Sequence, residues 1–214
     1  MQSSNKELVL SFYRDIVGGG DFELANTLIA EDYIQHNPML PTGRAGVIAA
    51  LQYLQQIPRE APKESPIKRM IAEGDYVVVH MNVFVAGQHQ VVMDVFRLAN
   101  AQLVEHWDAI QSVEAEQVDQ LMTGPREITD LASTESNKQI VAAHCQELGN
   151  TGKYEKTHRI IGEGNFVLAQ SSGKEEELPQ VFYDLFCLDE GEIVHHWSVK
   201  QEIPEKMAHE NGMI

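Results

Sequence analysis

The segment Ile71–Val78, with the sequence IAEGDYVV, decides the fold, because it returns as Ile161–Leu168, with the sequence IGEGNFVL, at an offset of 90. Two further matches share this offset without a gap: Asp94–Phe96 with Asp184–Phe186, and Val104–Trp107 with Val194–Trp197. Alternating apolar residues bounded by glycine-containing turns are typical of antiparallel strands. A repeat of this kind indicates two related structural units in one chain.

A second set of matches shows where the two copies differ. Asn5-Lys6 returns as Asn137-Lys138, and Phe22-Glu23 returns as Tyr154-Glu155, both at an offset of 132. The change from 132 to 90 means that the second copy lacks 42 residues between about positions 24 and 66. We therefore predict a complete unit over 1–112, a linker over 113–135, and a truncated unit of one helix and a sheet over 136–214.

Capping and turn signals predict three helices followed by strands in the first unit. Ser4–Glu7 and its repeat Ser136–Gln139 fit the capping box that begins a helix. Gly18–Gly20 ends the first helix, and Asp21 begins the second. The remaining predicted elements are a short strand over 33–37, a helix over 43–56, and strands over 66–73, 76–86, 89–98 and 102–112. This order is an α+β fold, a curved antiparallel sheet with N-terminal helices, duplicated in one chain.

Period-two alternation predicts that both faces of each sheet are largely apolar. In the first copy one of these faces includes Met93 and Trp107, and in the second copy the matching face includes Tyr183 and Trp197. Since both apolar faces need cover, we expect the two sheets to pack back to back with both tryptophans near the seam.

The other face of the first sheet carries polar side chains in apolar surroundings. Asp94, His106 and Asp108 alternate there with residues such as Phe96. We place His80 and Asn82 of the preceding strand on the same face, under the helices. Carboxylates and imidazoles in an apolar concavity suit general acid–base chemistry, because burial moves their pKa values toward neutrality.

The repeat helps to separate functional from structural residues. Asp94 returns as Asp184 and His106 returns as His196, so a structural hydrogen-bonded pair is an alternative interpretation for both. Asp108 is replaced by Ser198, so the fold does not demand this carboxylate. A third interpretation is a metal site formed by His80, His106, Asp94 and Asp108, although no close spacing such as HxH supports it.

Composition excludes several classes of partner. Acidic residues outnumber basic ones 32 to 16, giving a net charge of -16, which disfavours nucleic acid and anionic membrane surfaces. The two cysteines, Cys145 and Cys187, have no metal-binding or redox spacing. The N-terminus has no apolar export segment. We therefore expect a cytoplasmic protein that binds neither nucleic acid nor membrane.

Several motifs together resemble a known family. They are Tyr33–Pro38 (YIQHNP), Val95–Arg97 (VFR), Glu105–Asp108 (EHWD), Thr123–Asp130 (TGPREITD) and His209–Met213 (HENGM). The chain resembles the SnoaL-like polyketide cyclases of the nuclear transport factor 2-like (NTF2-like) superfamily, in particular tandem-duplicated proteins described as aldol-condensation-catalysing, here with an abridged second copy. The resemblance implies a cone-shaped, cystatin-like α+β fold.

The resemblance also implies a mechanism without cofactor or metal. Asp108 or Asp94 would be the acid/base that removes a proton next to a carbonyl, with His106 as its partner. Gln35, His36 and Asn37 would lie near the pocket mouth as donors to a carbonyl oxygen, and His80, Asn82 and Phe96 would complete the substrate-binding set. The second copy lacks counterparts of Gln35–Pro38 and Asp108, so we expect it to be catalytically silent.

Two functions remain open from the sequence. The first is a cofactor-independent lyase or isomerase of the aldol cyclase type that acts on a small apolar carbonyl compound. The alternative is a non-catalytic protein that binds a small molecule or a partner. The second copy would replace the second subunit of a dimer, which predicts an internal pseudo-dimer that is itself a monomer or a homodimer.

Overall fold

The computed structural model describes residues 2–57 and 64–214, and its helices follow the order predicted from the sequence. In that part of the chain the helices are α1 Gln2–Ser11, which continues as a π-helical segment Phe12–Gly18, α2 Phe22–Leu28, α3 Arg44–Leu54, α4 Ala115–Met122 and α5 Thr134–Asn150, with a short 3₁₀ turn at Leu131–Ser133. None of these helices is long and apolar enough to cross a membrane.

The strands form two sheets. The first contains β1 Ile29–Gln35, β2 Ile67–Glu73, β3 Tyr76–Val85, β4 Gln88–Ala99 and β5 Gln102–Val113, in the order β1-β5-β4-β3-β2. The second contains β6 Tyr154–Glu163, β7 Phe166–Glu175, β8 Leu178–Asp189 and β9 Glu192–Glu202 in sequential order. Neighbouring strands are antiparallel except β1, which runs parallel to β5. The predicted α+β fold with two curved antiparallel sheets and N-terminal helices is confirmed.

Two local predictions differ from the structure at helix and strand starts. The capping boxes at Ser4 and Ser136 are wrong, because both helices begin earlier and enclose these serines. Ser136 Oγ instead donates to the carbonyl of Ser133, 2.9 Å away. The short strand begins at Ile29 rather than residue 33, directly after α2. The cap at Asp21 is confirmed, since its side chain accepts the Leu24 N–H.

The two sheets share one apolar core, as predicted. Trp107 and Met93 of the first sheet and Trp197 and Tyr183 of the second are all buried in a single cluster. A second core lies between the helices and the other face of the first sheet, and a third lies between α5 and the second sheet. The polar face with Asp94 therefore lies beneath the N-terminal helices.

Contacts across the seam are reciprocal. The Ala72 N–H donates to Glu163 at 2.6 Å, and the Gly162 N–H donates to Glu73 at 2.8 Å. Ion pairs repeat the pattern, because Lys6 binds Glu163 and Lys138 binds Glu73, each at 2.6 Å. Equivalent positions of the two copies thus exchange the same contacts, as subunits related by a two-fold axis do.

The same reciprocity holds for two arginine–tryptophan pairs. The Arg69 guanidinium lies 3.7 Å from the ring centre of Trp197, and the Arg159 guanidinium lies 3.8 Å from that of Trp107. Each arginine belongs to one sheet and each tryptophan to the other. Cation–π contacts therefore link the sheets in both directions.

Candidate active site

The pairing of β4 with β5 creates a polar cluster beneath the helices. Asp94 lies directly opposite Asp108, and Phe96 lies opposite His106. All four side chains point to the same face because they occupy alternate positions. Asp94 and Asp108 are each 4% exposed and His106 is 7% exposed, so the cluster is nearly sealed from water. The prediction that these residues come together is therefore confirmed.

His106 is held at both ring nitrogens. Its Nε2 lies 2.8 Å from Asp94 Oδ1, and its Nδ1 lies 3.0 Å from Gln35 Oε1. Gln35 Oε1 also accepts the backbone N–H groups of His36 and Asn37, so this atom is an acceptor and His106 Nδ1 carries a proton. Burial acts to lower the pKa of His106, but Asp94 and Asp108 outweigh it and raise that pKa above its ordinary value.

Asp94 receives a third partner from the N-terminal helix. The hydroxyl of Tyr13 donates to Asp94 Oδ2 at 2.5 Å. Tyr13 lies in the π-helical segment, a local irregularity often found at functional sites. Sequence reasoning placed Tyr13 only in the apolar stripe of the first helix. A tyrosine on an apolar helix face needs a partner for its hydroxyl, and this is the signal by which the sequence could have shown a polar neighbour.

Asp108 has one bound and one free oxygen. Asn37 Nδ2 donates to Asp108 Oδ2 at 2.6 Å. Among the described residues, the buried Oδ1 atom has no hydrogen-bond partner. Burial and the neighbouring Asp94 raise the pKa of Asp108 to about 6, against the opposing effects of His106 and Asn37. This carboxyl group therefore changes its charge just below neutral pH.

The second copy shows what the cluster becomes without Asp108. Asp184 binds His196 at 2.7 Å and the Tyr154 hydroxyl at 2.7 Å, and Ser198 lies opposite it in the sheet. Burial alone would raise the pKa of Asp184, but hydrogen bonds from His196, Tyr154 and Ser198 bring it below its ordinary value. The aspartate–histidine–tyrosine arrangement is thus common to both copies, and the second carboxylate belongs to the first copy only.

Comparison with known proteins covers Asp94 and His106 of this cluster but ends two residues before Asp108. A family model described as a SnoaL-like domain matches residues 9–106. Residues 9–106, somewhat less than half of the chain, are therefore similar to a SnoaL-like domain. No curated protein matches the chain significantly.

Solved structures similar to this chain include three bacterial proteins. TsrD from Streptomyces laurentii is 18% identical, with a TM-score of 0.44 over 52% of this chain and 90% of its own. A candidate ketosteroid isomerase from Kribbella flavida is 19% identical, with a TM-score of 0.43 over 59% of this chain and 93% of its own. A candidate SnoaL-like polyketide cyclase from Jannaschia is 20% identical, with a TM-score of 0.43 over 58% of this chain and 95% of its own.

His80 and Asn82 do not belong to the polar cluster of the SnoaL-like domain, so their predicted placement is wrong. In the β3–β4 register, Val79 lies opposite Asp94, whereas His80 lies opposite Met93 on the seam face. Arg69 lies 3.2 Å from His80, and burial, aided by that arginine, lowers the pKa of His80 to about 3. Asn82 points to the same face as His80. Because side chains alternate along a strand, a register that differs by one residue places each side chain on the opposite face of the sheet.

His36 is also separated from the cluster. Its ring stacks on Trp107 at 4.8 Å, and Nε2 lies 3.0 Å from Glu105 Oε1. It therefore faces the seam, because the neighbouring Gln35 takes the opposite side of β1. Of the three predicted donors, Asn37 reaches Asp108 directly and Gln35 reaches the cluster through His106.

Phe96 lies on the predicted face and supports His106. Its ring centre is 4.6 Å from that of the imidazole, and its edge contacts the rings of Phe12 and Tyr13. The apolar rings limit the positions that the imidazole can adopt and exclude water from it.

The same cluster contains the donor types of a metal site. Ligand atoms of Asp94, His106 and Asp108 lie within 4.8 Å of one another. His80, the fourth member of the metal interpretation, is on the opposite face. An open cleft of about 490 Å³ lies elsewhere, between α5 and β6 of the second copy, and its lining contains no member of the cluster.

Proposed function

We propose that the SnoaL-like domain is a cofactor-independent acid–base catalyst that acts on a small apolar carbonyl compound. The observation that carries this proposal is the free, buried Oδ1 atom of Asp108, whose carboxyl has a pKa of about 6. A base with a pKa close to the working pH combines a large ionised fraction with useful basicity. Ionised Asp108 would take the proton from the carbon next to the carbonyl, leaving an enolate.

The histidine–aspartate pair would stabilise the charge of that enolate. With Nδ1 protonated against Gln35 and Nε2 facing Asp94, the raised pKa of His106 favours the imidazolium form. A fixed positive charge in a dry site lowers the energy of a nearby developing negative charge. The proton held by Asp108 would then return to a different carbon in an isomerisation, or the enolate would attack a second carbonyl in a cyclisation.

The enclosed surroundings favour a small and apolar substrate. Val92 and Phe96 lie on the same face as Asp108, and both are buried. Apolar walls of this kind protect a carbanion-like intermediate from protonation by water.

The proposal is tested by deuterium exchange at the α-carbon of cyclohexanone in D₂O, followed by NMR. We expect exchange to rise with pH through about 6 as Asp108 ionises, and to fall again at higher pH as His106, whose pKa is raised, loses its proton. Asp108→Asn should reduce the exchange rate at least 100-fold, in keeping with the size of general-base effects.

Ser198→Asn is the matched control, because Ser198 occupies the position equivalent to Asp108 in the second copy. It should leave exchange within about two-fold of wild type, since its copy lacks the free carboxylate. Equal exchange by wild type and Asp108→Asn would refute the role of Asp108.

Binding without catalysis is the second candidate function. It is favoured by the second copy, where the same aspartate–histidine–tyrosine arrangement occurs without the second carboxylate. Under this alternative, NMR titration would show saturable shifts on addition of cyclohexanone, with no exchange above the buffer rate at any pH.

A further inference from the structure

The C-terminal segment of the second copy crosses to the first copy and binds beside its polar cluster. After β9 the chain returns over the segment Gln35–Pro38, and Met213 near its end is buried in the shared seam core. The second copy therefore contributes structure to the neighbourhood of the candidate active site, although it lacks the second carboxylate itself.

Four hydrogen bonds join the two segments. The Ala208 N–H donates to the carbonyl of Pro38 at 2.8 Å, and His209 Nε2 donates to the carbonyl of Asn37 at 2.9 Å. Asn211 Nδ2 donates to the carbonyl of Gln35 at 2.9 Å, and His36 Nδ1 lies 2.9 Å from the carbonyl of Gly212. Every carbonyl between residues 35 and 38 except that of His36 is thus bound by the C-terminal segment.

Asn37 connects this backbone to Asp108. Its Oδ1 accepts the Met39 N–H at 2.9 Å, which fixes the rotation of the side chain, and its Nδ2 donates to Asp108 at 2.6 Å. A hydrogen bond of this length to a carboxylate depends on the backbone position of the donor. The backbone at 35–38 is held on one side by β5, where the His36 N–H donates to the carbonyl of His106 at 2.9 Å, and on the other by the C-terminal segment.

We propose that Asn211 and His209 are positioning residues of the candidate active site, which act by holding Gln35–Pro38 so that the Asn37 amide points at Asp108. The proposal rests on the proposed acid–base function for its catalytic meaning, but the geometry that it describes can be measured without turnover. It explains how a truncated copy without its own second carboxylate contributes to the first copy's chemistry.

The test uses the full chain and measures the pKa of the Asp108 carboxyl by ¹³C NMR, with the signal assigned by its loss in Asp108→Asn. The Asn37 hydrogen bond lowers this pKa, so loosening it should raise the value. We expect Asn211→Ala and Asn37→Ala each to raise it, by on the order of one pH unit for Asn37→Ala. In a plot of the cyclohexanone exchange rate against pH, the rise at low pH should shift by as many pH units as the pKa of Asp108 does.

A double variant separates positioning from a general loss of stability. If Asn211 acts through Asn37, the combined variant Asn37→Ala/Asn211→Ala should match Asn37→Ala alone, because the effects of coupled residues do not add. Val141→Ala, a core truncation between α5 and the second sheet, should lower stability without moving the pKa of Asp108.

Three outcomes are decisive. An unchanged pKa of Asp108 in Asn211→Ala, or additive shifts in the double variant, would overturn the positioning role. A wild-type protein that exchanges no cyclohexanone, while the pKa shifts are observed, would overturn the proposed function and leave the positioning role intact. Shifts that follow the expected pattern, together with the shifted rise of the exchange rate at low pH, would support both.

Discussion

Asp108 is the residue at which the two copies of the chain diverge in chemistry. In the second copy, Ser198 stands in its place and helps to satisfy Asp184. In the first copy, two carboxylates face each other in a nearly dry site, which costs folding free energy whenever both are ionised. Asp108 thus lowers stability and is not needed for the fold, which is typical of residues that serve activity.

The pH dependence of stability tests this cost. The pKa of Asp108 is raised in the folded state, so the folded protein holds this proton more tightly than the unfolded chain does. The proton on Asp108 therefore contributes fully to the free energy of unfolding below about pH 4, the pKa of the carboxyl in the unfolded chain. This contribution is lost as the pH rises through about 6, the pKa in the folded protein. At pH 7, Asp108→Asn should therefore raise the free energy of unfolding by about 1–3 kcal/mol, measured by urea denaturation.

The gain from Asp108→Asn should shrink toward zero below about pH 4, where the carboxyl is protonated in both states. The reverse substitution in the second copy, Ser198→Asp, should lower stability at pH 7 for the same reason. A destabilising Asp108→Asn at pH 7 would contradict the charge repulsion inferred here.

At the scale of elements, equivalent turns have acquired different surroundings. Gly74 of the β2–β3 turn and Gly164 of the β6–β7 turn occupy the same repeat position and both have positive φ, +57° and +61°. The first turn is open. The second is covered by the linker, where Thr129 and Asn165 exchange hydrogen bonds of 2.9 and 3.0 Å. The linker therefore forms part of the second unit's structure.

Alanine substitutions at the two glycines should separate these environments. Gly74→Ala meets nothing within 4 Å and should cost only the left-handed backbone strain, about 1–2 kcal/mol. Gly164→Ala carries the same strain and would also push its Cβ into the Thr129 carbonyl oxygen, so it should cost about 3 kcal/mol or more. Thermal denaturation of both variants checks the difference, and equal losses would show that the linker moves aside easily.

At the scale of the whole molecule, the reciprocal seam makes one body of two units. Its arginine–tryptophan pairs are equivalent by position but differ in their other partners. Arg69 also donates to the carbonyls of Thr123 and Pro125 at 2.7 Å each, whereas Arg159 has one side-chain acceptor among the described residues, Gln170. Burial lowers the pKa of Arg69 only to about 10, so it remains charged at neutral pH.

Removal of the two guanidinium groups should therefore have unequal effects. Arg69→Met removes the guanidinium donor from the carbonyls of Met122, Thr123 and Pro125 in a buried site and should cost about 3 kcal/mol or more. Arg159→Met loses a cation–π contact and one hydrogen bond and should cost about 1–2 kcal/mol. Urea denaturation followed by tryptophan fluorescence measures both, and a larger loss for Arg159→Met would contradict this ranking.

The sequence by itself determined the elements, the repeat and the shared face of Asp94, His106 and Asp108. These features depend on local spacing, since turn residues bound the strands and alternation assigns the faces. The sequence also predicted that the two apolar sheet faces pack together, because neither could remain in water.

Only the tertiary structure decided the register of β3, the partner of Tyr13 and the destination of the C-terminal segment. Alternation divides the residues of one strand into two faces, but it does not say which of these faces lies beside Asp94 on the neighbouring strand. For this reason His80 was placed on the wrong face of the sheet. Tyr13 lies 81 residues from Asp94, and Asn211 lies 176 residues from Gln35. Such contacts leave no periodic trace in the sequence, since they depend on where the folded chain brings distant segments together.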